Sequence, residues 1–420
     1  MTTIILILFI ISYIFCLISF KATLFFFILF LPLNSILPKE YNIFGLFSYV
    51  MVYSFFVFYH YIINKNIRIK GKLAKDPVIS VTSLVFLSYL VMEIYGNVRD
   101  YYNYGLFISQ LDNIIIIILR IIIKIIAYLI IIRQIKYNIN ISIYATIISI
   151  VLIIFSIIFY NQLDAIGIRL EEGDILNYKN PIESRVAGIY SGGDVNSLGV
   201  MYNIFIAFLL SLSSINKKKL SIGEILIIFI CILGIAFTAS RMAIVSLLLV
   251  IISAIRRLSL INYRNIIIVI LILFILIYFN IFNYVIERIK SLGLIQQVSP
   301  QGGGRYERWM IYIKEIFSSP RNMFLGYTNV VYFYGVINDP HNFIIRSIYL
   351  NGIILTILWL YSFIKSYILF GKNIGYINNL RIFLPIIINI LIISQIGAIY
   401  NFYILLLILY YRTYKVNAYI

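Results

Sequence analysis

At 420 residues, with 62% hydrophobic and 12% charged side chains and a mean hydropathy of +0.99, the chain has too little polar surface to cover a globule in water. A soluble globular domain is excluded. The formal net charge of +18 would point to nucleic acid in a soluble protein, but here the basic residues sit in short loops between apolar runs, as in an oriented membrane protein, so no nucleic-acid partner is expected.

Apolar runs long enough to cross a bilayer recur along the chain: Ile4 to Phe20, Ile43 to Ile63, Ile141 to Phe159, Ile222 to Phe237, Ile266 to Phe282 and Phe343 to Phe363. At about 20 residues each, about 12 or 13 spans are expected, an all-α polytopic membrane protein with residues 1–420 as one transmembrane domain. The first run has no positive n-region and no small-residue cleavage site after Phe20, so it reads as an uncleaved anchor. Leu24 to Leu37 is short and broken by Pro32 and Asn34; it crosses at a tilt or re-enters, which leaves the side of the N-terminus open. Cys16 and Cys231 fall inside apolar runs and read as buried hydrophobes. His60, at the end of a span, reads as structural.

Basic residues cluster at Lys65, Arg68, Lys70, Lys72 and Lys75, at Arg133 and Lys136, at Lys217, Lys218 and Lys219, at Arg256, Arg257 and Arg264, and at Lys365 and Lys372. These positions alternate correctly if all are cytoplasmic loops. Nearly all the acidic residues then lie on the other side, among them Asp112, Asp164, Glu171, Asp194, Glu307 and Asp339. Two outer loops are long, 161–194 and 287–341, and loops of that length are commonly functional. In the second, Met310 to Phe317 reads as an amphipathic helix at the membrane surface, with Trp309 as interfacial anchor and Ser318-Ser319-Pro320 as its stop. No internal repeat is evident, which weighs against an inverted-repeat transporter.

Four motifs carry a resemblance. They are Asp194-Val195-Asn196-Ser197-Leu198-Gly199 opening a span, Ser240-Arg241-Met242-Ala243 at a tight turn, Gly304-Arg305-Tyr306-Glu307-Arg308-Trp309 in the large loop, and His341-Asn342 ending it. In order, spacing and common side they resemble the bacterial O-antigen polymerase and O-antigen ligase superfamily, over roughly residues 185 to 360. The family's turn more often reads Ser-Arg-Gly where this chain has Met242. The resemblance implies a GT-C-like inner-membrane glycosyltransferase with its active site facing the periplasm. Its donor would be an undecaprenyl-pyrophosphate-linked oligosaccharide, with no cofactor, membrane lipids around it and a chain-length regulator protein as an accessory partner.

A lipid pyrophosphate leaving group gathers charge as the anomeric bond breaks, and guanidinium groups fork onto phosphate oxygens in poorly hydrated sites. Arg241 and Arg305 are therefore expected to hold the pyrophosphate, with Arg308 beside them. A lone Arg241 would otherwise read as a snorkelling helix-end cation, and the loop arginines as solvated partners of Glu307 or Glu315. The three glycines before Arg305 allow a close phosphate approach or form a plain linker. His341 can take a proton from an acceptor hydroxyl, with Asn342 at the same site; without the resemblance, the Asp339 to Asn342 segment reads as a turn and helix cap.

Arg120 and Lys124, four apart in an isoleucine-rich span, need a partner: either Glu93 of the neighbouring span or a lipid phosphate, and both readings stay open. Glu171-Glu172-Gly173-Asp174 reads as a solvated acidic cluster, and no metal is expected. A polymerase of surface-polysaccharide repeat units is the preferred function. A ligase to lipid A core uses the same donor, and a flippase or transporter would draw on Arg120 and Lys124.

Overall fold

A computed structural model of the chain describes residues 2–30, 49–63, 77–104, 108–158, 195–238, 241–255, 305–327, 332–333, 336–337, 342–392 and 397–418. The described residues are almost wholly helical. In order they form α1 (Thr2–Ile18), α2 (Phe20–Phe30), α3 (Tyr49–Ile63), α4 (Pro77–Tyr104), α5 (Ile108–Ile135), α6 (Ile139–Ile158), α7 (Val195–Asn216), α8 (Ile222–Thr238) and α9 (Arg241–Ile255). Then come α10 (Arg305–Ile316), α11 (Pro320–Leu325), a two-residue antiparallel pairing of β1 (Tyr332–Phe333) with β2 (Val336–Ile337), α12 (Phe343–Ile374), α13 (Tyr376–Ile392) and α14 (Gly397–Ala418). Three described stretches, Pro77–Gly96, Gly199–Asn216 and Phe343–Ile374, are by length and composition able to cross a membrane, with shorter apolar helices around them. The runs at Leu24 to Leu37 and Ile266 to Phe282, and most of both long loops, lie partly or wholly outside the described residues.

α12 shows what solvent the bundle suits. Ile354, Ile357, Leu358, Tyr361, Ile364 and Ile368 form an exposed apolar stripe at helical spacing, a continuous surface that acyl chains solvate and water does not. The opposite face of α12 packs inward through Trp359, Phe363 and Phe370. The central helix is α7, buried almost from end to end and rich in small polar residues such as Ser211, Ser213 and Ser214. Between apolar helices that lipid solvates equally well, close approach and interhelical hydrogen bonds supply specificity, and small polar side chains provide both.

The ends of the helices sort by charge. Arg412, late in α14, donates through Nε to Asn216 at the end of α7 (3.0 Å), and the Lys136 ammonium lies over the rings of Tyr411 and Tyr414. α12 and α14 run parallel, through Ser366 to Tyr403 (2.6 Å) and Phe370 to Tyr410. α13 runs back against both. One end of the bundle thus carries Arg133, Lys136, Lys217, Lys218, Lys219, Lys372 and Arg412, as the basic clusters require. Two refinements follow. Arg133 and Lys372 stand in the last turns of α5 and α12. Lys365 lies inside α12, not in a loop, with its ammonium 5.5 Å from the Tyr361 ring centre.

Near this basic end Arg381 is completely buried in α13. Its guanidinium donates to Ser253 of α9 twice, at Oγ (3.0 Å) and at the carbonyl (2.9 Å), and to Asn378 Oδ1 (3.4 Å). Hydrogen bonds from a charged donor are worth about 1.5–3 kcal/mol each, so Arg381→Met should cost about 2–4 kcal/mol and lower the melting temperature of the detergent-solubilised protein. An unchanged melting point would show that α9 and α13 are held by packing alone.

Two helix breaks depart from the expected spans. The first helix ends at Ile18, two residues early, and Ser19 separates it from α2. The bend brings Thr23 Oγ1 (3.1 Å) and His60 Nε2 (2.5 Å) onto the carbonyl of Cys16, which satisfies backbone in an apolar setting and gives His60 its structural role. The second break is larger. Phe343 to Phe363 reads as an apolar run long enough to cross a bilayer, yet the rings of Phe343 and Trp359 are 4.7 Å apart. Sixteen residues of straight helix would separate them by about 24 Å. The chain instead reverses at Gly352, whose φ of 78° and ψ of 166° are outside the helical region. Residues 353–374 continue as a helix of about 33 Å, and residues 343–351 fold back beside its first half.

Candidate functional site

The reversal brings four helices to one level at the end opposite the basic one. From the bonded pair Ser253 and Arg381, ten residues along α9 reach Ala243 and ten along α13 reach Leu391, each about 15 Å away. The ring contact of Tyr367 with Phe383 gives a second ruler: eight residues along α12 and α13 lie Trp359 and Leu391. Asn342 then closes the group, donating through Nδ2 to the carbonyl of Leu391 (2.9 Å), while its neighbour Phe343 meets Trp359. Asn203 of α7 joins at the same level, since its Nδ2 donates to the carbonyl of Ala243 (2.8 Å).

Arg241 opens α9 and Asn342 caps α12, accepting at Oδ1 from the amide of Ile345 (3.0 Å). Asparagine is suited to that cap, and the cap reading of the sequence holds for Asn342. Two helix N-termini therefore come level, each with the partial positive charge of unsatisfied first-turn amides. Arg241 and Asn342, 101 positions apart in the sequence, belong to one end of one four-helix group. His341 lies outside the described residues, immediately before Asn342.

Above this level sit α10 and α11. The amphipathic helix expected at Met310 to Phe317 is α10, which starts earlier, at Arg305, so Arg305 and Arg308 occupy its first turn. Positions 305, 308, 312 and 316 fall on one helical stripe. Tyr312 and Ile316 are buried against Tyr349, with 4.8 Å between the tyrosine rings, so this part of the helix packs on protein. Trp309 is partly buried. Ser318-Ser319-Pro320 ends α10 as expected and also starts α11, with Ser319 as N-cap accepting from the Asn322 amide (3.1 Å).

The two loop helices rest on the reversal itself. A Cβ at Gly352 would stand 2.0 Å from the carbonyl oxygen of Phe324, so α11 touches the backbone of α12 where only glycine leaves room. Tyr327 donates its amide to the carbonyl of Tyr349 (2.7 Å), satisfying a group that the broken ladder releases. From α4, Tyr95 reaches over to donate to the carbonyl of Leu325 (2.8 Å). Tyr95→Phe removes that bond, worth about 1 kcal/mol. The expected result is faster trypsin cleavage after Lys314 and Arg321 with an unchanged global melting temperature; equal cleavage rates would show that Tyr95 does not hold the loop.

Arg120 and Lys124 lie within α5, away from this group. Phe86 of α4 stacks on Tyr128 of α5 at 5.6 Å; seven residues along each helix from that contact lie Glu93 and Ile121. The backbone thus places Glu93 at about the level of Arg120, and both readings of the pair stay open. Among the described residues no three His, Cys, Asp or Glu side chains stand together to hold a metal.

Asn203, Arg346, Gly352 and Trp359 belong to the site's surroundings without having been singled out in the sequence. Asn203 is fully buried, and its Oδ1 has no hydrogen-bond partner among the described residues, as is true of Ser246 Oγ one turn along α9 from Ala243. Arg346 stands one turn from Asn342. Chemically the level offers helix N-termini to an anion, and an Asn203 carbonyl oxygen without a partner among the described residues to a hydroxyl. No family model, curated protein or solved structure matches the chain. Fold and site together define a multi-helix protein with apolar faces suited to a membrane and a polar level toward one end.

Proposed function

We propose that the chain is a GT-C-like membrane glycosyltransferase that joins undecaprenyl-pyrophosphate-linked oligosaccharide repeat units into a surface polysaccharide at the periplasmic face of the inner membrane. The observation that carries the reading is the common level of Arg241 and the capped start of α12, where His341 directly precedes Asn342. A cation beside the leaving group and a base beside the acceptor are what glycosyl transfer from a lipid diphosphate requires.

In the reaction the acceptor hydroxyl oxygen attacks the anomeric carbon of the donor sugar, and the bond from that carbon to the diphosphate oxygen breaks. The hydroxyl proton passes to His341, and the electron pair leaves with undecaprenyl diphosphate. Arg241 and Arg305 hold the departing charge, Arg308 binds beside them, and Asn342 fixes the segment that carries the histidine. The basic end of the bundle is the cytoplasmic one by the positive-inside rule, which puts α10, α11 and Asn342 outside.

Purified protein in nanodiscs, given the lipid-linked repeat unit without nucleotide sugar and with EDTA, should yield a ladder of products when resolved by size. Products that form only once lipid A core is added would replace the polymerase with a ligase. No product in either case would remove glycosyl transfer altogether and favour a transporter.

A further inference from the structure

α10 has two apolar faces. One is taken up by protein, where Tyr312 and Ile316 lie against Tyr349. The other runs through Met310, Ile313 and Phe317 at helical spacing, well round the helix from the first, with Met310 47% and Phe317 66% exposed. α11 extends it with Phe324 and Leu325, both exposed. A helix pair that had only to cover the reversal at Gly352 would present polar side chains to water here, and large apolar residues gathered on one exposed face call for an apolar cover.

The depth of α11 says what that cover is. Tyr95 donates to the carbonyl of Leu325 (2.8 Å), and it stands one residue short of Gly96, where the apolar stretch Pro77–Gly96 of α4, long enough to cross a membrane, ends. α11 therefore lies where a span leaves the hydrocarbon, the level that tyrosine favours because its ring is apolar and its hydroxyl polar. The turns of α4 on either side of Tyr95 expose Val91 and Val98, in line with Leu87. That apolar stripe runs up to α11, so Phe324 and Leu325 continue it. The cations fit the same depth. Lys314 is one turn from Met310 and Arg321 one turn from Phe324 and Leu325, both exposed, and stems of this kind lie along apolar surface while the charge reaches a headgroup.

We propose that α10 and α11 form a monotopic seat in the bilayer: Met310, Phe317, Phe324 and Leu325 dip into the acyl chains of the leaflet at the end opposite the basic one, with Lys314 and Arg321 among its headgroup phosphates. Interfacial helices of this kind sink their apolar face about 5–10 Å into the boundary between headgroups and acyl chains. The seat stands apart from the functional reading above. Only its use rests on that reading: the first turn of α10, which carries Arg305 and Arg308, is held at headgroup depth, where a lipid diphosphate is met without leaving the membrane.

Cys16 and Cys231 are completely buried, so a thiol-directed spin label on full-length Phe317→Cys, Phe324→Cys, Ile357→Cys or Lys218→Cys reports the introduced position. Each variant is placed in nanodiscs of phosphatidylethanolamine and phosphatidylglycerol, and collisions with oxygen, which concentrates among acyl chains, are compared with collisions with a water-soluble nickel chelate. Ile357, on the exposed stripe of α12, is the lipid reference, and Lys218, exposed at the basic end, is the water reference. Phe317→Cys and Phe324→Cys should give an oxygen-to-nickel ratio several-fold above that of Lys218→Cys and close to that of Ile357→Cys. A ratio equal to that of Lys218→Cys overturns the proposal. Exclusion of both reagents also overturns it, since a protein partner or a second copy would then cover this face. Met310→Cys reads the same stripe should Phe317→Cys fail to fold. Chain elongation by the unsubstituted protein is scored separately: elongation with positions 317 and 324 in water removes the seat alone, and both positions in lipid without elongation removes the transferase reading alone.

Discussion

His341→Ala should lower chain elongation by about 10²–10⁴-fold while the protein inserts and accumulates at its normal level. A positioned base contributes about that much to a reaction in which a hydroxyl must lose its proton as the new bond forms. His341 precedes the N-cap of α12, so the substitution leaves in place the Asn342 bonds to Ile345 and Leu391 that hold the segment. The loss should fall on kcat with the donor affinity nearly unchanged, because in the proposed reaction the arginines, not the histidine, hold the diphosphate. A loss confined to KM would make His341 a binding group instead, and full activity would remove it from the mechanism.

Gly352→Ala should be nearly as damaging, for a different reason. Its φ of 78° is a conformation that L side chains rarely adopt, and its new Cβ would stand 2.0 Å from the Phe324 carbonyl oxygen and 2.8 Å from the Leu325 amide nitrogen. Those neighbours are backbone, so α11 must lift or residues 343–351 must swing away. Either movement shifts α10, which carries Arg305 and Arg308, relative to the level of Arg241 and Asn342, and misplacement of about 1 Å can cost about 100-fold in rate. Gly375→Ala is the control: Gly375 also has a positive φ, of 91°, but a Cβ there meets nothing within 4 Å. Elongation should fall about 100-fold in Gly352→Ala and stay within about twofold in Gly375→Ala. Equal losses would mean that backbone strain, not the seating of α11, is what matters.

The helical, apolar nature of the bundle is legible because hydropathy and length act locally: twenty apolar residues in a row have few alternatives to a buried helix. The charge sorting was legible for the same reason, and the described clusters at Lys136 and Lys217 to Lys219 fall at one end. The cap at Asn342 and the stop at Ser318-Ser319-Pro320 were also legible, since a side chain that bonds a helix's own first turn announces itself within four residues.

The reversal in α12 was not read, although Asn351-Gly352 is a turn signal standing inside an apolar run. Hydropathy averages over about twenty residues and passes through a two-residue break, so a fold-back looks like one long span. The same averaging puts Lys365 in a loop, where the structure has helix. Arg381 escaped notice because a cation near a span's end ordinarily snorkels, whereas here Ser253 of another helix meets it in the interior. Asn203 and Trp359 depend on contacts between helices far apart in sequence, and nothing local marks them. For Arg120, Glu93 was legible as a candidate neighbour, and the ring contact of Phe86 with Tyr128 adds its level along the helices.

The most direct test of the account is to count undecaprenyl diphosphate released against glycosidic bonds formed, using purified protein in nanodiscs with the lipid-linked repeat unit as its only substrate. The expected result is one lipid diphosphate per bond, with both quantities abolished together by Arg241→Gln and by His341→Ala. Intact donor carried across the bilayer with no diphosphate released would contradict the account and make the protein a transporter.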